Sequence, residues 1–225
     1  MVACADGLPY TVAMRDTLWD EILIRRESYQ LLNLEHERVE KEIIAEMERG
    51  IDVYFDRRWE ATAHLTDWLV EHRNLLTGLR ILILGAGVGA ETLVLGRHAK
   101  HIWLNDLSPT ALELCSEQMT QNGLTNFTLL PGRFEELELP SVDLVVASFL
   151  IYNKETFKAM TAFQKTHHGE TILVNERLAP FPKFLRKHRH SLLFEVDGAV
   201  GVRIEKSAAP GDLPAASLTS ASSAS

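Results

Sequence analysis

Ile81-Leu82-Ile83-Leu84 runs directly into Gly85-Ala86-Gly87-Val88-Gly89-Ala90-Glu91, and no other stretch narrows the choice of fold so far. Four apolar residues in a row are the length of a buried strand, too short to be a helix of their own. Three glycines at alternate positions mark a bend with unusual dihedrals, where a β-carbon would also hold a ligand away. A strand, a glycine-rich turn and a helix start together bring backbone N–H groups close to a bound nucleoside cofactor. Asp106 follows about 20 residues after the loop, where a carboxylate can accept hydrogen bonds from both ribose hydroxyls.

The residues around this unit alternate between short apolar runs and amphipathic segments. Arg80–Leu84, His101–Asn105, Phe127–Leu130, Val142–Ala147 and Thr171–Asn175 are strand candidates. A helix is expected from the glycine loop through His98. Another opens at Ser108-Pro109, a serine cap with proline at the first helical position, and ends at Asn122-Gly123. It carries Leu112, Cys115 and Met119 inward, and a further helix is expected over Lys154–Lys165. Strands alternating with helices imply parallel βαβ units. After Asn175 the alternation stops, and Leu192–Val196 and Ala199–Glu205 flank Asp197-Gly198, a hairpin dipeptide. The expected fold class is therefore α/β, Rossmann-like and doubly wound, with a mainly parallel sheet closed by an antiparallel C-terminal hairpin.

Before the strand run, Leu18, Ile22, Tyr29, Leu32, Val39, Ile43 and Met47 recur at roughly helical spacing, with Gly50 as a C-cap. A second amphipathic helix is expected over Arg58–His72, with Ala61, Leu65, Trp68 and Leu69 on its inner face, and Asn74–Gly78 punctuates it. The domain reading is a helical N-terminal extension over 1–54, a cofactor-binding domain over 55–206, and a disordered Ala/Ser/Pro-rich tail over 207–225.

Composition restricts the function classes. The chain has 225 residues, enough for one α/β domain with an extension, and a formal charge of −8, which argues against nucleic acid as a partner held by the bulk field. Two cysteines, Cys4 and Cys115, suggest no disulfide framework. No signal segment or membrane-length apolar run is visible, so the expected location is the cytoplasm, or the nucleus. The nine histidines show no metal-ligand spacing, and no metal is expected. The basic run Lys183–His190 reads as a solvated helix face, and Cys115 as an inert core thiol.

Two other readings of the loop stand beside the first. The glycines would also serve a tight strand–helix turn with no ligand. Gly85-x-Gly87-x-x-Ala90 also satisfies the relaxed dinucleotide fingerprint. Against the latter, the loop lies behind about 75 residues rather than at the chain start, and the residues after it leave no room for a substrate domain.

Ile81–Glu91, Trp103-Leu104-Asn105-Asp106-Leu107-Ser108-Pro109, Asn122-Gly123-Leu124 and Val142–Ser148 resemble the successive motifs of class I, seven-β-strand, S-adenosylmethionine-dependent methyltransferases. Within that superfamily the pattern is most similar to the family-16 group, which contains many protein-lysine methyltransferases; Trp59, Tyr152 and Glu176-Arg177 support this. The resemblance implies S-adenosyl-L-methionine as cofactor and a seven-stranded sheet. It implies that Gly85, Ala86, Gly87 and Gly89 face the methionine moiety and that Asp106 holds the ribose. Leu107, Arg133 and Phe134 would flank the adenine, with Ser148 and Phe149 at the mouth where the methyl group emerges.

Three positions depart from the pattern. Ile83 replaces the acid two residues before the first glycine, Arg133 replaces an acid beside the adenine, and Phe149-Leu150-Ile151-Tyr152 keeps only the tyrosine of an Asp-x-x-Tyr motif. Methyl transfer from a sulfonium needs alignment and dryness more than covalent help. An amine acceptor must arrive neutral, which needs a base or a dry pocket. Tyr152 and Glu176 are the catalytic candidates, and Asp56 and Trp59 the substrate-side candidates, Asp56 as a further base and Trp59 as an apolar or cation–π wall. The expected acceptor is a protein side chain. A small-molecule methyltransferase, or a silent cofactor-binding interaction protein, remains the alternative.

Overall fold

The computed structural model describes residues 17–50, 53–167 and 169–205. The expected disordered tail lies outside them. In chain order the elements are β1 (Trp19–Ile24), β2 (Glu27–Leu32), α1 (Glu37–Glu48), α2 (Glu60–Glu71), β3 (Arg80–Leu84), α3 (Glu91–His98) and β4 (His101–Asp106). They continue with α4 (Pro109–Gln121), β5 (Phe127–Pro131), β6 (Leu144–Ser148), α5 (Lys154–Thr166), β7 (Glu170–Glu176), α6 (Phe181–Leu185), β8 (His190–Val196) and β9 (Ala199–Ile204).

Strands β3 to β9 form one seven-stranded sheet in the order β5-β4-β3-β6-β7-β9-β8. The first five are parallel, and β9 runs antiparallel to both β7 and β8. Asp197 and Gly198 turn that last hairpin at φ 48° and 82°, the paired positive values of a type I′ turn. Strand β3 shows why its sequence is an unbroken apolar run. Ile81 and Ile83 enter the core layer shared with Leu65, Leu93 and Cys115, while Leu82 and Leu84 enter the opposite layer with Met160, Phe181 and Phe184. Alternation disappears when both faces of a strand are covered. Connections reverse direction across β3, with β4 on one side and β6 on the other, and such a switch point opens a crevice at the carboxyl ends of the strands.

Helices α1 and α2 and every expected strand are present, and Ser108 caps α4 through its hydroxyl, accepting from the Ala111 amide at 2.9 Å. No helix among the described residues is long and apolar enough to cross a membrane. The N-terminal extension departs from expectation. Residues 19–32 are not helical: β1 and β2 form an antiparallel hairpin, paired from Trp19 with Leu32 to Ile24 with Glu27. Tyr29 and Leu31 are buried against the main core, with Ile22 and Ile24 packed beside them, a period of two that chance spacing disguised as helical. The turn is Arg25-Arg26, at φ 44° and 77°, without the Asn-Gly or Asp-Gly that normally announces such a turn. Side chains of α4 cover the free edge of β2. Asn122, the cap of α4, accepts from the Gln30 amide at 2.9 Å and donates to the Gln30 carbonyl at 2.7 Å, and Gln118 accepts from the Leu32 amide at 2.9 Å.

Candidate active site

At the switch point lies a cleft of about 720 Å³, roofed on one side by the β1–β2 hairpin. Its floor is the glycine loop. Gly85 and Gly87 stand at φ 67° and 49°, and a β-carbon on Gly85 would sit 3.1 Å from Leu150 Cδ1. The loop's donors are largely spent inside the protein. Ala86 N–H donates to the Asn105 carbonyl at 2.9 Å, Gly87 N–H to Asp106 Oδ2 at 2.8 Å, and Gly89 N–H to the Ala86 carbonyl at 3.2 Å. The expectation that this bend offers its amides to the ligand is corrected at these three residues: the glycines act by lacking side chains. Asn105, which the sequence reading did not single out, braces the region by donating to the Leu130 and Gly132 carbonyls at 2.8 and 2.9 Å.

Asp106 ends β4 with its carboxylate also accepting from the Ser108 amide at 2.9 Å. Burial pushes its carboxyl above the ordinary range, against the pull of the Ser108 and Gly87 amides. A carboxylate so placed gains from further donors, such as a pair of ribose hydroxyls. Beyond it the cleft has an apolar slot. Leu107 is 53% exposed on one side, and Phe134 is 7% exposed on the other, braced edge-on by Phe163 at 5.9 Å. Arg133 also lines the cleft but pairs with Glu135 at 3.4 Å. A bend without side chains, a carboxylate and an apolar slot in this order fit the methionine, ribose and adenine of S-adenosylmethionine.

The mouth is aromatic. Trp59 and Phe149 stack at 4.0 Å with 14° between planes, Phe149 and Tyr152 lie nearly parallel at 6.3 Å, and Tyr54 approaches Tyr152 at 5.1 Å. The Arg57 guanidinium sits over Trp59 at 5.0 Å. Ser148 shares a 2.7 Å hydrogen bond with Thr62 of α2. Phe149 is held at φ 51°, and Asn175 pins the same loop by accepting from the Ile151 amide at 3.1 Å and donating to its carbonyl at 3.2 Å.

Gly85, Ala86, Gly87, Gly89, Asp106, Leu107, Arg133, Phe134, Ser148, Phe149, Trp59 and Tyr152 all line one cleft. Glu176 and Asp56 do not line it. Glu176 is the last residue of β7, opposite Ala199, and Asp56 lies 3.6 Å from Arg57. Arg177, next to Glu176, pairs instead with Glu195 at 2.7 Å. The basic run is exposed at Lys183, Arg186, Lys187 and Arg189, as expected of a solvated surface, but only its first residues are helical, within α6, and Lys183 and Lys187 lie over the Phe157 ring at 5.8 and 5.1 Å. Cys115 is buried, its thiol pushed up to about 12 by that burial. Sequence reasoning missed Tyr54, Asn175 and Glu91. An acid opening a helix reads as ordinary, and nothing in the local pattern tells that Glu91 is buried.

Residues 81–168 match the family model described as a methyltransferase domain. Over 111 residues the chain is 28% identical to the histone-arginine methyltransferase METTL23 of Homo sapiens, covering 46% of this chain and 58% of that protein. It is 23% identical over 122 residues to a probable ribosomal RNA small subunit methyltransferase A of Methanosphaera stadtmanae, covering 53% of this chain and 45% of that protein. The chain thus spans only about half the length of these curated relatives. Among solved structures, the T. thermophilus 16S rRNA methyltransferase RsmC, in complex with AdoMet and guanosine, superposes with a TM-score of 0.63 at 18% identity, over 85% of this chain and 51% of that one. The ribosomal protein L11 methylase of Lactobacillus delbrueckii subsp. bulgaricus gives 0.56 at 18% identity, over 67% and 80%. These names span protein and ribosomal RNA, so they lend no support to the expectation that nucleic acid is an unlikely partner.

Proposed function

We propose that this chain, whose residues 81–168 match a methyltransferase domain, is a class I, S-adenosylmethionine-dependent methyltransferase that acts on a nitrogen at the end of a cationic protein side chain. The observation that carries the acceptor assignment is the row Trp59, Phe149 and Tyr152, closed by Tyr54, at the cleft mouth. Aromatic faces attract a lysine or arginine head group. Arg57 already places a guanidinium over one of them. The relative named as a histone-arginine methyltransferase supports the same choice.

The bound cofactor supplies a sulfonium-activated methyl group, and the chain's own residues do the rest. Asp106, Leu107 and Phe134 hold the nucleoside. Thr62 and Ser148 tie α2 to the sheet and fix the distance between the two walls. The aromatic row excludes water, which lowers the cost of a neutral nitrogen, and the Tyr152 hydroxyl orients that nitrogen's lone pair towards the methyl group. Tyr152→Phe is expected to lower kcat by roughly ten- to hundredfold with the cofactor Kd unchanged. Equal loss of both would assign Tyr152 to cofactor binding instead.

A specific observation favours a second reading. Arg25, Arg26, Arg57, Arg58 and Arg133 line the same cleft, and stacked aromatics also take nucleobases. Arginines and a stacking platform suit an RNA acceptor, in keeping with the ribosomal RNA methyltransferase among the relatives. Labelled cofactor and cell lysate separate the two readings. Label that enters protein and survives nuclease supports the first, and label that enters RNA and survives protease supports the second.

A further inference from the structure

Glu91 is the first residue of α3, yet it does not reach for solvent as a helix-opening acid usually does. It is 2% exposed, lines the cleft, and its Oε2 is buried without a hydrogen-bond partner. Its carboxyl group lies against the α-carbon of Gly89, so close that a β-carbon there would overlap it. A buried, unsatisfied carboxyl oxygen is costly and calls for a reason. The carboxyl is pushed up to about 8 by burial, so at neutral pH it holds a proton. Cys115 on α4 lies within the field of Glu91, and Asp106 at the end of β4 acts on the same thiol and lines the same cleft. Asp67 of α2 lines the cleft too but is engaged by Arg25 at 2.7 Å. No ion pair to Glu91 occurs among the described residues.

The side chain of Ile83, by contrast, is committed to the core. It is 1% exposed in the layer with Leu65 and Leu93, and it offers the cleft nothing polar. The loop's own amides are engaged internally at Ala86, Gly87 and Gly89. At the glycine end of the cleft, Glu91 is therefore a carboxyl with capacity for a cationic group.

We infer that Glu91 is the acceptor for the α-ammonium of the cofactor's methionine moiety, and that binding is coupled to release of the carboxyl proton. The inference rests on the cofactor reading given above. The exchange balances: the neutral carboxylic acid gives its proton to solvent, and the carboxylate left behind pairs with the arriving ammonium. No bond to carbon changes. An ammonium favours the ionised carboxyl, as any close opposite charge does. Cofactor affinity then rises with pH as the proton becomes easier to remove, up to the pH at which free Glu91 is already ionised.

Calorimetric titration with S-adenosylhomocysteine in two buffers of different ionisation enthalpy counts the protons. About one proton released per ligand bound at pH 7 is expected for the wild type, and none for Glu91→Gln. The variant should lose roughly ten- to hundredfold in affinity for S-adenosylhomocysteine but keep its affinity for methylthioadenosine, which lacks the amino acid portion. Retained methylthioadenosine binding also certifies the fold. Should the variant not fold, wild-type protein alone decides: the deaminated analogue of S-adenosylhomocysteine must bind more weakly and release no proton. Wild-type binding without proton release, or equal loss for both ligands in the variant, overturns the assignment. Failure of wild-type protein to bind either ligand would instead overturn the cofactor reading beneath it.

Discussion

A phenylalanine at φ 51° costs about 1 kcal/mol or more relative to glycine, and Phe149 sits there at the mouth of the cleft. The strain is held by Asn175 on the adjacent strand β7, which pins Ile151 of the same loop, and by stacking on Trp59. Phe149→Gly should therefore raise thermal stability only slightly or lower it, because relief of strain is offset by the lost stack. Methyl transfer should fall at least tenfold. A variant with full activity would remove the aromatic row from the account. Glu91 makes a second residue-scale prediction, with a definite sign. Its folded value near 8 lies above the ordinary 4.5, so the neutral group's contribution is complete below about pH 4.5 and is lost as pH rises through 8. Melting temperature without ligand should fall between pH 5 and pH 9 in the wild type more than in Glu91→Gln. The gap is worth on the order of a few kcal/mol. Parallel curves would mean that the carboxyl is not desolvated.

At the scale of elements, the β1–β2 hairpin is the part most dependent on long-range partners. Its edge is satisfied by Gln118 and Asn122 of α4, and Arg25 at its turn pairs with Asp67 and Glu71 of α2. The Arg25 pairs are exposed and contribute little. The Gln118 bond to the Leu32 amide is buried, so Gln118→Ala should cost about 1–3 kcal/mol and open the hairpin to hydrogen exchange before the main sheet. Simultaneous exchange would show that hairpin and sheet form one cooperative unit. This element also marks where sequence reading stopped. The succession from β3 to α4 was legible because each piece carries its own local signal: an apolar run, glycines, a serine–proline cap, an asparagine–glycine stop. The hairpin has no such signal, since Arg25-Arg26 gives no hint of positive φ and its partners lie about 90 residues away. Glu91 and Asn175 were hidden for the same reason, because burial is a property of the assembled fold. Asp56 and Glu176 were over-read from their places in the chain, and the cleft does not include them.

At the scale of the whole molecule, one end of the sheet gathers residues from the β1–β2 hairpin through to the start of α5. The hairpin, the 54–62 segment, the glycine loop and the ends of β4 and β6 all face the same cleft. The five arginines of the cleft share its lining with Asp20, Asp67, Asp106, Glu135, Glu155 and the buried Glu91, a mixed-charge surface suited to a mixed-charge partner. Association with an RNA acceptor would then weaken steeply with salt, whereas a protein side chain docked mainly on aromatics would show a shallower dependence. The account rests on a cleft that recognises an adenosyl amino acid by its shape and by Asp106. Titration of S-adenosylhomocysteine and NAD into the wild type and Asp106→Ala measures this directly. Saturable binding of S-adenosylhomocysteine that the substitution weakens by about tenfold or more, with no binding of NAD, is the predicted result. Binding of NAD alone, or S-adenosylhomocysteine binding indifferent to the substitution, would contradict it.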